Sequence, residues 1–146
     1  MAKKFRFRLE SILKVKRIKE DQIKSELGKY YEKEKKILEN ISFIESQISV
    51  LEDDIKKMKS FTIDEYKEHH FYLSNLKQKK ENDKIELEQI RNKISEVKKR
   101  LVEVMKERKV LESLKEQKIE EFKKEQNLKM QKTLDETGIS RFKKNA

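Results

Sequence analysis

The sequence predicts an all-α fold, a long two-helix antiparallel coiled-coil hairpin with the second helix overhanging the first. Three observations carry this. The 146 residues are 45% charged and 34% hydrophobic, with no Pro and two Gly, so the chain favours helix and has few places to turn. From Leu9 to Met58, apolar residues recur by alternating steps of four and three, which is a heptad repeat with a narrow seam. A second seam follows a single capping cluster, and the two seams fit one antiparallel register.

Met1 to Arg8 reads as a short basic arm with two phenylalanines, Phe5 and Phe7. Helix 1 is expected over about 8–59, on the order of 75 Å at ~1.5 Å per residue. Its seam is Leu9, Leu13, Lys16, Glu20, Ile23, Leu27, Tyr30, Glu34, Ile37, Ile41, Ile44, Ile48, Leu51, Ile55 and Met58. Gly28 lies inside the helix at a cost of roughly 1 kcal/mol against Ala. A turn is expected at about 60–64, where Ser60, Thr62 and Asp64 are capping residues and Thr62 has Glu65 three positions on, a capping-box pattern. Helix 2 then runs over about 64–136. Its seam is Tyr66, His69, Leu73, Leu76, Lys80, Asp83, Leu87, Ile90, Ile94, Val97, Leu101, Val104, Arg108 and Leu111. Gly138 is expected to end the helix, leaving a basic tail over 137–146, so the whole chain reads as a single coiled-coil domain.

In an antiparallel pair, facing positions have a constant total. Met58 with Tyr66, Leu51 with Leu73, Ile48 with Leu76, Ile37 with Leu87, Tyr30 with Ile94, Leu27 with Val97, Ile23 with Leu101 and Leu13 with Leu111 all total 124. Lys16, Glu20 and Arg108 fall together near the N-terminus, with Glu20 in reach of both cations. Lys80 and Asp83 face Ile44 and Ile41. Such polar layers fix register at some cost in stability.

The same register puts Leu9 against Lys115, so residues from about Lys118 onward overhang. They keep an apolar stripe, Ile119, Phe122, Met130 and Leu134, which is expected to bind a partner because it lacks one within the chain. Charge is polarised. Residues 1–36 hold thirteen basic and six acidic side chains, residues 37–90 eight and twelve, and residues 91–146 seventeen and ten. The hairpin brings the outer segments together, so the open end carries +14 and the turn end −4, and acidic partners are expected at the open end. Nucleic acid is the default reading of a basic patch. Here the basic residues are mixed with acids at helix-pair spacing, which argues for a solvated helix surface instead.

The sequence shows no catalytic constellation, and no enzyme, metal or cofactor is expected. There is no Cys, hence no disulfide framework, thiol chemistry or zinc ribbon. His69 and His70 are adjacent and point about 100° apart on a helix, so they do not chelate one ion; Glu65 shares a face with His69, but a third ligand is not evident. His69 is expected in the seam and His70 at the surface. No glycine-rich phosphate loop occurs. No apolar run is long enough for a membrane span or an export-signal core, and the chain is expected in the cytoplasm.

Three segments carry a family resemblance. They are the start Phe5-Arg6-Phe7-Arg8-Leu9-Glu10-Ser11-Ile12-Leu13 followed by Lys16 and Arg17, the segment Glu107-Arg108-Lys109-Val110-Leu111-Glu112-Ser113-Leu114-Lys115-Glu116, and the end, Glu125-Gln126 then Gln131-Lys132-Thr133-Leu134-Asp135-Glu136. Together with length, charge and the two-helix pattern, they resemble the FliJ family, the central stalk and chaperone-escort protein of the flagellar type III export ATPase. The resemblance implies that the end holding both termini inserts into a hexameric ATPase ring and promotes its assembly and activity. The matching residues are Phe5, Arg6, Phe7, Arg8, Leu13, Arg108, Leu111, Lys115, Asp135 and Glu136. It also implies contact with a membrane export gate through Phe71, Tyr72 and Leu76, export chaperones as further partners, and peripheral association with the inner membrane. Phe71 and Tyr72 lie off the seam and are expected to be exposed, whereas this chain departs from the family patch at Lys79 and Asp83. Phe5 and Phe7 either cap the open end or contact the partner. Three other readings remain open: an arm binding nucleic acid, the equivalent stalk of a virulence type III secretion system, and a homo-oligomeric scaffold.

Overall fold

The computed structural model describes residues 4–145, with side chains to Ile139. Met1–Lys3 of the basic arm, and the side chains of Arg141, Phe142, Lys143 and Lys144 in the expected tail, lie outside the described residues. The fold is all-α: two long helices, α1 (Glu10–Lys57) and α2 (Ile63–Asn145), pack against each other.

Local chemistry sets their ends. The Glu10 N–H donates to the Phe7 carbonyl at 3.1 Å and the Leu13 N–H to that of Leu9 at 3.0 Å, which seats the first turn of α1. The Glu65 N–H donates to Thr62 Oγ1 at 3.2 Å, so the expected cap opens α2. Asp64 and Glu65 in the first turn of α2, and Lys56 and Lys57 in the last turn of α1, complement the helix dipoles. Gly138 does not end α2. Its φ stays negative and helix continues to Asn145, because a lone glycine only weakens a helix unless the chain turns there into the left-handed region. The stretch over 137–145 is therefore helical rather than a separate tail.

Contacts group the chain into two compact units. One is Gln22–Leu101. Its core is the expected seam, with Ile23, Ile37, Ile41, Ile44, Leu73, Leu76, Leu87, Ile94 and Val97 buried. Ile37, Ile41 and Leu87 form one cluster with Ile90 against it. Cross-helix ion pairs hold the antiparallel register: Arg100–Glu26 at 2.8 Å, Arg91–Glu34 at 3.6 Å and Lys80–Glu45 at 3.2 Å. Near the turn, Phe61 stacks on Tyr66 with ring centroids 5.4 Å apart. His70 is exposed with its ring 4.1 Å from that of Tyr66, and His69 is half-buried in the seam.

The other unit comprises the described residues up to Asp21 and from Val102. Leu13 and Val104 are its buried apolar residues and Glu20 its buried polar one. It holds the terminal segments that carry the family resemblance.

Candidate functional site at the terminal segments

The site is built on the arm before α1. Along it, Phe5, Phe7 and Leu9 are half-buried while Lys4, Arg6 and Arg8 are exposed. That period of two is the signature of an extended segment with one face against a surface. The surface is α2. The Phe5 ring meets Phe122 at 5.7 Å between centroids, tilted by 58°, a favourable aromatic geometry. Lys4–Leu9, Leu114, Lys118, Phe122 and Glu125 line an open cleft of about 630 Å³. Its floor is apolar, and its rim carries basic groups from the arm and mixed charges from α2.

Below the arm, ionic contacts lock α1 to α2. Lys115 Nζ lies 2.9 Å from Glu10 Oε2, and Arg17 Nη2 lies 3.4 Å from Glu112. Lys16 pairs with Glu107. Arg108 pairs with Glu20 through Nε and donates to Glu112 from Nη1 at 2.8 Å. The four cations leave their mark on the carboxyls. Glu10 is held below the usual carboxylate range by Lys115, Glu107 by Lys16, and Glu112 by Arg108 and then Arg17. Arg108 is pushed up by Glu112 and Glu20.

Because these folded carboxyls titrate below their unfolded value of 4.5, their contribution is fully present above that value. It is lost as pH falls through the lowered values. The urea midpoint, followed by circular dichroism, is therefore expected to hold level from neutral pH to about 5 and to fall below about 4.5. The step shrinks in high salt, because the pairs are near solvent.

The structure sorts the sequence-based candidates. Phe5, Phe7, Arg6, Arg8, Arg108, Leu111 and Lys115 belong to the same unit and lie along the arm or the helix contact beneath it. Leu13 is 0% exposed, so it supports the site from inside and touches no partner directly. Arg108 and Lys115 are engaged in ion pairs. Asp135 and Glu136 are exposed on the C-terminal turns of α2, away from the arm in sequence and outside the cleft lining. The stripe expected to lack a partner within the chain is only partly free. Ile119 and Phe122 are half-buried, Phe122 under Phe5, whereas Met130 and Leu134 are exposed together with Leu128.

In the Gln22–Leu101 unit, Phe71 and Tyr72 are exposed as expected, but Leu76 is buried in the seam at 4% and is not available at the surface. Tyr72 shares a shallow groove with Phe43, Lys79 and Asp83. Phe43 was not singled out from sequence; the available signal is a 64%-exposed aromatic residue on a helix whose other large apolar side chains mostly follow the seam.

The family model of the flagellar FliJ protein matches residues 5–146. The chain belongs to the FliJ family. No curated protein and no solved structure matches it. Membership makes it a stalk component of the flagellar export apparatus, in a family that is non-catalytic. The match begins at Phe5, so it takes in the aromatic arm as well as both helices. Among the described residues, no helix is long and apolar enough to cross a membrane, and no group of three His, Asp or Glu is placed to hold a metal ion.

Proposed function

We propose that this FliJ-family chain binds the hexameric flagellar export ATPase with its terminal segments and activates it. The observation that carries this reading is the clasp of the arm on α2. Phe5 and Phe122 meet there, and the exposed Arg6 and Arg8 flank an apolar cleft. An aromatic floor with arginines at its edge is the composition of an interface hot spot. The contact site is Phe5, Arg6, Phe7 and Arg8, with Leu13, Arg108, Leu111 and Lys115 holding α1 and α2 beneath it, and Asp135 and Glu136 as a second contact. An asymmetric helix pair in a symmetric ring favours particular subunit conformations, and so couples ring assembly to ATP hydrolysis. The exposed Phe71 and Tyr72, with Phe43 beside Tyr72, form a second surface for the cytoplasmic domain of the export gate. The exposed part of the α2 stripe, Met130 and Leu134, is the surface offered to export chaperones.

The test is ATP hydrolysis by the cognate export ATPase with the intact chain, with residues 1–8 removed, and with residues 119–146 removed. Circular dichroism checks that the remaining helices persist. The intact chain is expected to stimulate hydrolysis severalfold, and either deletion is expected to abolish the stimulation. No stimulation by the intact chain, together with no co-elution with the ATPase, removes this reading.

A further inference from the structure

The start of α1 carries a surface that the ATPase reading does not use. On a helix whose inner side is Leu13, Lys16 and Glu20, the residues opposite are Ser11, Val15, Ile18 and Gln22. Val15 is 59% exposed and Ile18 58%, with Ile12 close by at 47%. Three branched aliphatic side chains thus stand in solvent within two turns. Lys14 and Lys19, both exposed, fall on either side of them.

The charge here is concentrated and largely unneutralised. Residues 4–19 hold seven basic side chains and one acidic one, Glu10, which is taken by Lys115. Lys16 and Arg17 are engaged by Glu107 and Glu112. Lys4, Arg6, Arg8, Lys14 and Lys19 make no ion pair among the described residues, although Lys14 acts through space on the Glu10 carboxyl and Lys19 on that of Glu107.

We propose that the outer face of the first turns of α1 docks on an anionic lipid surface, with Ile12, Val15 and Ile18 entering the headgroup boundary and Lys4, Lys14 and Lys19 meeting the lipid phosphates. A short basic helix with an aliphatic outer strip matches such an interface on both counts, charge and depth of apolar contact. Nucleic acid answers only the charge, since its phosphate backbone offers nothing to three aliphatic side chains. This inference does not rest on the ATPase reading, because Ile12, Val15, Ile18, Lys14 and Lys19 are not among the residues assigned to that contact.

The experiment is flotation of the full chain with vesicles of phosphatidylcholine alone and of phosphatidylcholine mixed with phosphatidylglycerol. Binding is expected only to the anionic vesicles and is expected to weaken with salt. Val15→Ser with Ile18→Ser is expected to lower the affinity about tenfold, and Lys14→Glu with Lys19→Glu at least as much. Lys35→Glu with Lys36→Glu makes the same charge change on exposed positions further along α1, and is expected to leave binding within about twofold. Stimulation of the ATPase in the absence of lipid is expected to be unchanged by Val15→Ser with Ile18→Ser. Equal losses for the two charge variants, or no effect of the serine variant on vesicle binding, overturn the proposal. So does binding to a duplex oligonucleotide with none to anionic vesicles, which assigns the basic face to nucleic acid.

Discussion

Leu13→Ala is expected to lower the stability of the chain by about 3 kcal/mol, in the lower half of the range for emptying a fully buried leucine site. For a chain of this size that moves the thermal midpoint by about 10 °C. The argument starts from burial. Leu13 is 0% exposed, and the seam register sets it against Leu111. A two-helix contact has a single seam, so few other apolar side chains can move in to fill the space. The same geometry keeps the loss from reaching the top of the range, because two helices approach each other more easily than the walls of a globular core. Ile12→Ala is the control: Ile12 is 47% exposed, and its truncation is expected to cost no more than about 0.5 kcal/mol. The resemblance placed Leu13 among the contacts with the ATPase, but full burial leaves it only an indirect part. Its loss loosens the packing of the start of α1. Equal midpoints for Leu13→Ala and Ile12→Ala would mean that the start of α1 does not pack on α2.

The heptad seam was legible because its period survives polar interruptions. Lys16, Glu34, Lys80, Asp83 and Arg108 sit at seam positions in the sequence and are half-buried in the structure, while Glu20 is buried. The turn was legible because Thr62 and Glu65 carry a specific hydrogen-bonding chemistry, and that bond is made. The arm was not. Its alternation of Phe5, Phe7 and Leu9 with Lys4, Arg6 and Arg8 is three repeats long, too short to declare what it packs on, and only the structure brings Phe5 to Phe122. The end of α2 was misread for a different reason. Glycine marks a helix stop when the chain needs a left-handed residue, and nothing at Gly138 makes that demand. Leu13 and Leu76 expose a conflict that sequence already contained. The heptad put both in the seam, while the family resemblance put both at a contact surface, and the structure buries both.

The polar layer at Glu20 and Arg108 makes a second large effect expected, and one whose sign depends on how many partners are removed. Glu20 is 5% exposed, and Arg108 reaches across from α2 to bind it while also holding Glu112. Arg108→Leu removes the cross-helix guanidinium from a carboxylate that stays buried, so the thermal midpoint is expected to drop by several degrees. Glu20→Leu leaves Arg108 with Glu112 on its own helix, so its loss is expected to be smaller. Glu20→Leu combined with Arg108→Leu replaces the ionic layer by an apolar one, and the midpoint is expected to recover to that of the parent or above it. If the ions added net stability, the double variant would melt below the parent, and that result would sink the argument. What the layer contributes instead is register. An all-apolar seam is satisfied by a slip of one heptad or by pairing between two chains, whereas Glu20 and Arg108 meet only in the alignment that also sets Leu13 against Leu111. The double variant is therefore expected to gain stability and lose uniqueness, seen as a mixture of species in sedimentation velocity. The clasp of the arm on Phe122 then weakens even though the helices have become harder to melt, since it depends on the register and not on the strength of the seam.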